Sequence, residues 1–244
     1  MEPMRDVCWV VGVGASAGLG AAVARRFARG GQVVVITGRH AERIRTVVSE
    51  IDATGGRAHA LAGDVSSPQD VSRLASEVQA LGSLRVAVFN AGNAVRGSLL
   101  DLTPEQFEAT WRGSTYAGFV FARAAVPLLL GSGGGTLLFT GATASIRGRG
   151  PFIGFASAKA GLRSISQSIA RQYGPQGIHV AHVVIDGVIN GEKARSNAPQ
   201  FVAAAGKDEL LDPDAIAESY WQLYQQHPSA WTHELDLRPF KESF

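Results

Sequence analysis

Short apolar runs alternate with longer amphipathic stretches along the whole chain. Runs at Cys8–Val13, Gln32–Thr37, Ala58–Ala62, Val86–Phe89, Gly135–Thr140 and His179–Ile185, with a late one near His233–Leu237, have the length of strands. Between them, Gly18–Arg29, Ala41–Thr54, Pro68–Leu81, Pro104–Leu130, Phe152–Tyr173 and Asp214–His227 carry helical spacing. Val33, Val34, Val35 and Ile36 are apolar on both faces, the pattern of a parallel strand covered by helices on each side. The alternation predicts a Rossmann-like α/β fold: a doubly wound parallel sheet of about seven strands in a three-layer sandwich. The glycine-rich run Gly131–Gly135 falls between a helix and a strand, where a tight reversal suffices. A boundary there would leave two incomplete sheets, so residues 1–244 are expected to form one domain.

The strongest motif lies directly after the first strand. Gly14-Ala15-Ser16-Ala17-Gly18-Leu19-Gly20 opens the first helix. Glycines at such a turn let backbone N–H groups approach a diphosphate while the helix N-terminus supplies positive potential. Its placement in an alternating α/β chain makes it a dinucleotide fingerprint rather than a mere tight turn. The end of the second strand should then meet the adenosine ribose, and there the chain reads Thr37-Gly38-Arg39-His40, without Asp or Glu. A carboxylate would accept from the 2′-hydroxyl and repel a 2′-phosphate, whereas Arg39 offers a planar fork to a phosphate. NADP(H) is therefore favoured over NAD(H), the alternative being that Arg39 is an ordinary solvated charge.

Composition narrows the classes. Apolar residues make up 45% of the chain and charged residues 18%, as in a globular protein. A net charge of +2, with no basic run interleaved with aromatics, gives no reason to expect a nucleic-acid partner. Cys8 is the only cysteine, so no intrachain disulfide can form, and its apolar run suggests a buried thiol. With a strand candidate opening at Val7 and Arg123 and Pro127 breaking the most apolar stretch, neither signal peptide nor membrane span is expected. The expected setting is cytoplasmic, and no metal site is suggested.

Beyond the glycine turn, three further segments carry a resemblance. They are Asp64-Val65 after the third strand, Asn90-Ala91-Gly92 after the fourth, and Lys159 within Phe155-Ala156-Ser157-Ala158-Lys159 in a long helix. With Gly14 and Gly18 separated by three residues, the chain resembles the short-chain dehydrogenase/reductase family over nearly its full length. The resemblance implies that Gly14, Ser16, Gly18, Leu19, Gly20, Arg39, Asp64, Val65, Asn90, Ala91, Gly92, Lys159, Gly187 and Val188 contact the cofactor. It implies that Asp64 and Val65 lie against the adenine, that Asn90 stabilises the central sheet, and that Lys159 binds the nicotinamide ribose. It also implies a homodimer or homotetramer built on the long helices, where Phe119, Phe121, Leu128 and Leu129 fit a helix packed on more than one side. Asp64 as a helix cap and Asn90 as a turn residue are the alternatives.

The chain departs from that family where the proton is handled. The family's Tyr-x-x-x-Lys places a phenol one helical turn before the lysine, and here that position is Phe155. None of Tyr116, Tyr173, Tyr220 and Tyr224 stands four residues before a lysine. The family's serine falls on Ala142, with Thr140, Thr143 and Ser145 nearby to supply a displaced hydroxyl. Its helix asparagine falls on Ser114, and its Pro-Gly after the sixth strand on Asp186-Gly187. Of the catalytic set only Lys159 is unchanged.

Three readings follow from this pattern. One is an NADP-dependent oxidoreductase acting on a small molecule, its proton supplied by another group. Asp186 at the end of the sixth strand is the first candidate and Tyr116 the second, although Asp186 could equally pair with an arginine. The others are a non-catalytic NADP-binding sensor or partner subunit, and a non-redox catalyst using the apolar surface around Phe152, Ile153 and Phe155. Residues 190–211 stand where the family carries a substrate lid, and include Lys193 and Arg195.

Overall fold

In the computed structural model, which describes residues 5–242, the apolar runs form seven strands. They are β1 (Asp6–Val11), β2 (Val33–Gly38), β3 (Arg57–Ala62), β4 (Ser83–Phe89), β5 (Gly135–Thr140), β6 (Ile178–Ile185) and β7 (Glu234–Leu237). All neighbours pair in parallel, in the order β3-β2-β1-β4-β5-β6-β7. β1 pairs with both β2 and β4, so strand addition reverses there and a crevice opens at the carboxyl ends.

Helices cover both faces. α1 (Leu19–Arg29), α2 (Ala41–Ala53) and α9 (Pro213–Tyr224) enclose one core, and Phe27 packs edge-on to Trp221 at 5.3 Å between ring centres. On the other face lie α3 (Pro68–Leu81), α4 (Pro104–Trp111), α5 (Ala117–Gly131) and α6 (Ile153–Tyr173). Trp9, fully buried between them, donates its Nε1 hydrogen to Thr37 Oγ1 at 3.0 Å, which removes the cost of burying a free indole donor. Local chemistry sets the helix starts. Ser67, Thr103 and Asp212 each accept a backbone N–H of the first turn and each is followed by proline.

Four expectations are corrected. The helix expected as one piece from Pro104 to Leu130 contains a π turn at Arg112–Tyr116 that divides α4 from α5. The strand expected from Val86 begins at Ser83, because the Arg85 guanidinium reaches the carbonyls of Ser132 and Gly134 and so lets its strand stay paired. A membrane-length apolar helix does occur: Pro104–Gly131 spans 28 residues and meets the length and composition for crossing a bilayer. Over half of its most apolar window is buried inside the fold, as befits a core helix. The last long helix stops at Tyr224 and gives way to the turn Pro228–Ala230. Two short helices, α7 (Glu192–Asn197) and α8 (Pro199–Ala204), occupy the segment expected as a lid.

Candidate active site

The glycine turn leaves β1 and enters α1 at the mouth of the crevice. A side chain at Gly14 would project into open space, and α1 begins after Gly18 as its N-cap, with no side-chain cap and no acid in its first turn. The first amides of α1 are therefore left without a side-chain acceptor, a site that suits an anion. Ser16 Oγ is already committed, donating to the Glu50 carboxylate at 2.6 Å beside Arg25, so Ser16 can offer a phosphate only its backbone. The side chains of Leu19 and Val65 are buried in the core and likewise leave only backbone to a ligand. Asp64 Oδ1 accepts from the backbone and hydroxyl of Ser66, while the helix cap that was its alternative role falls to Ser67. Arg39 is exposed at the end of β2.

Asn90 ties three strands together. Its Nδ2 donates to Gly12 O at 3.2 Å beyond β1, and its Oδ1 accepts from Thr140 Oγ1 at 3.1 Å on β5. Ala91 follows it, and Gly92 has φ +150°, where a Cβ would stand 3.3 Å from Lys159 Nζ. Gly187, at φ +152°, packs against Pro239, and the Val188 carbonyl accepts from Leu211 N at 2.9 Å, so both anchor the base of the 190–211 segment.

Lys159 is the centre of the site. Its Nζ is buried, donates to Thr140 O at 2.7 Å, and lies 5.9 Å from the Phe155 ring. The Phe155 ring therefore stands on the same side of the helix as Lys159 and brings no hydroxyl to it. Burial first, and then the charge of Lys193, bring the Lys159 pKa down to about 8. Ser114 sits in the π turn, its buried Oγ without a hydrogen-bond partner among the described residues. π turns of this kind recur at functional sites because they re-aim a side chain. Close packing brings the two together. Thr115 Oγ1 donates to Ala158 O at 2.6 Å, and a Cβ on Gly161 would already press on Thr115.

Asp186 is corrected as a proton donor. Fully buried, its carboxylate accepts from Thr143 Oγ1 at 2.7 Å, takes both oxygens to Arg147 at 2.7–2.8 Å, and faces Arg238 at 3.3 Å. Burial alone would raise its pKa, but the Thr143 hydrogen bond and the Arg147 and Arg238 charges hold it below the usual carboxylate value. It stays ionised. Tyr116, the second candidate, packs against Trp111 and under the Arg112 guanidinium rather than toward Lys159. Thr140 and Thr143 are both committed to the partners named above. Ala142 gives its backbone N–H to Ser145 Oγ at 3.1 Å.

Sequence reasoning missed His182. Fully buried on β6, it places Nε2 3.2 Å from Ser145 Oγ and Nδ1 3.2 Å from Glu234, which Arg163 grips through two hydrogen bonds. Burial drives its pKa down to about 4, with Lys159 and Arg163 adding and Glu234 opposing. The signal was available: a histidine inside an apolar strand needs partners, and Glu234 is its direct neighbour in the β6–β7 register.

The donor set fits a nicotinamide dinucleotide. A bare glycine turn suits its diphosphate, and the Ser114 hydroxyl and the buried Lys159 ammonium suit its ribose hydroxyls.

Comparison with known proteins agrees. The short chain dehydrogenase family model matches residues 8–200. The chain is 31% identical over 208 residues to an L-rhamnose 1-dehydrogenase (NAD(P)(+)) of Sphingomonas, covering 84% of this chain and 77% of that protein. Among solved structures, a short-chain dehydrogenase from Rhodopseudomonas palustris is 37% identical, with a TM-score of 0.83 over 98% of this chain and all of that one. A metagenomic short-chain oxidoreductase in complex with NADP is 26% identical, with a TM-score of 0.80 and 96% of each chain covered. On motif order, sheet topology and these matches together, the chain belongs to the short-chain dehydrogenase family and is an oxidoreductase of that type.

Proposed function

We propose that the protein is an NADP(H)-dependent oxidoreductase of a small molecule, with a proton-handling centre built without the phenol and serine hydroxyls usual in its family. The observation that carries this reading is the charge of the crevice. Arg39, Lys193 and Lys159 bear on it, and the end of β2 presents no carboxylate against a 2′-phosphate.

The nicotinamide would supply or take up a hydride. Gly14, Gly18 and the first amides of α1 would hold the diphosphate, Arg39 the 2′-phosphate, and Lys159 with Gly92 and Ser114 the ribose beside the nicotinamide. Lys159 also holds the site's most exchangeable proton. A buried ammonium with a pKa near 8 is matched to proton transfer at neutral pH, as an ordinary lysine is not. Phe155 excludes water above it and gives no proton, while Asp186 keeps the turn after β5 in place through Thr143 and Arg147. On this reading the 190–211 segment is the substrate lid, the described chain is one domain, and oligomers form through the exposed Phe107, Trp111 and Phe119. Phe121 and Leu129, by contrast, serve the chain's own core.

The test is NADPH consumption against a panel of ketones, imines and activated alkenes, with Lys159→Met alongside. Turnover should fall by about 10²–10⁴-fold in the variant. Reduction by the parent protein should decline as pH rises through or above 8, where the ammonium deprotonates. The competing reading, a binding protein without turnover, is favoured by the locked Asp186 and requires tight cofactor binding with no consumption for any substrate.

A further inference from the structure

The segment after β6 does more than cover a pocket. Gly191, just before α7, packs on the glycine turn itself: a Cβ there would stand 3.0 Å from Ala17 O and 3.9 Å from Gly18 Cα. Glu192 pairs with Arg43 of α2 at 3.3 Å, which fixes α7 across the top of the crevice. Arg195 is occupied at the base, donating to Asn190 Oδ1 at 3.2–3.3 Å. Lys193, between them, has no hydrogen-bond or ion-pair partner among the described residues. Its charge is felt at Lys159 on the nicotinamide side, and it in turn feels Arg39 on the adenosine side. An ammonium in that position repels two cations and meets no anion. Such an arrangement is unfavourable until an anion arrives between them.

We propose that Lys193 is a ligand for the dinucleotide's diphosphate, carried over the glycine turn by α7. The inference rests on the dinucleotide-binding part of the function proposed above, but not on the preference for the phosphorylated cofactor. Because Gly191, two residues before Lys193, packs on Ala17 and Gly18, the diphosphate held at that turn is the anionic portion of the ligand within reach of Lys193. The 2′-phosphate falls to Arg39. The diphosphate is common to both cofactors, so the residue sets the affinity of both and the ordering of α7, without choosing between them.

The experiment is calorimetric titration of the full-length protein with NADPH and NADH separately, for the parent, Lys193→Met and Lys193→Arg. Amide hydrogen exchange over residues 191–197 is followed with and without cofactor. Lys193→Met should weaken both cofactors by the same factor, about 10- to 100-fold for the loss of one charge-assisted contact. Lys193→Arg should restore most of it, and the protection that cofactor brings to 191–197 in the parent should vanish in the methionine variant. Because Lys193 is exposed and its removal relieves a repulsion, the methionine variant should melt no lower than the parent, which separates lost binding from misfolding. Unchanged affinities overturn the proposal while leaving dinucleotide binding intact. A loss confined to NADPH also overturns it, by moving Lys193 to the 2′-phosphate. A parent protein that binds neither cofactor overturns both the proposal and the function on which it rests.

Discussion

His182 makes the acid stability of this fold calculable. The imidazole has a pKa of about 6.5 in an unfolded chain, and burial against Gly141, Ser145 and Glu234 brings it to about 4 in the folded protein. Between those values the unfolded state binds more protons, so stability is complete above the higher pKa and is lost as pH falls toward the lower one. The full gap corresponds to about 3 kcal/mol, and some 2 kcal/mol of it is lost by pH 5. His182→Gln removes the titration while keeping an amide that can face Ser145 and Glu234. Urea unfolding of both proteins at pH 7.5 and pH 5, at one protein concentration, isolates the term. The parent should lose about 2 kcal/mol more than the variant over that interval. Arg163 keeps Glu234 ionised throughout the interval, its pKa held down first by their hydrogen bond, so it adds little to the difference. Equal losses in parent and variant would mean that His182 is not the buried neutral group described here.

Three other outcomes follow. Arg39→Asp should reverse the cofactor preference, weakening NADPH by at least about tenfold and sparing NADH, since it places a carboxylate against the 2′-phosphate; unchanged ratios in paired titrations would remove Arg39 from that role. Phe155→Tyr alone should yield little ketone reduction, whereas Phe155→Tyr with Ala142→Ser should exceed it by about 10²-fold, because a positioned acid and a substrate-anchoring hydroxyl act as a unit. Efficient turnover by the single variant would contradict this. Gly92→Ala should cost about 1–3 kcal/mol in thermal unfolding, through the strained φ of +150° and the contact with Lys159, and an unshifted melting temperature would refute it.

What could be read from the sequence was what local rules decide. The doubly wound sheet followed from runs such as Val33–Ile36 that are apolar on both faces, and the glycine turn followed from its place between a strand and a helix. Lys159 and Phe155 were legible because one helical turn separates them. What the sequence hid was long-range or register-dependent. Whether Asp186 was an acid or the partner of an arginine could not be decided locally, because Arg147 and Arg238 lie 39 and 52 positions away in the chain, and only the approach of the turn after β5 to the end of β7 brings them together. The π turn at Arg112–Tyr116 leaves no mark on composition, since it inserts itself into an otherwise regular amphipathic helix. Nothing local distinguishes Lys193 from the other charges of the 190–211 segment; only the packing of Gly191 on the glycine turn does.

Equilibrium titration of the purified protein with NADPH and with NADH bears most directly on the central reading, in which a cationic crevice above a bare glycine turn grips a phosphorylated dinucleotide. Saturable binding of NADPH, at least about tenfold tighter than NADH at moderate salt and weakening as salt is raised, is the predicted result. Binding of neither, or equal affinity for both, would contradict it.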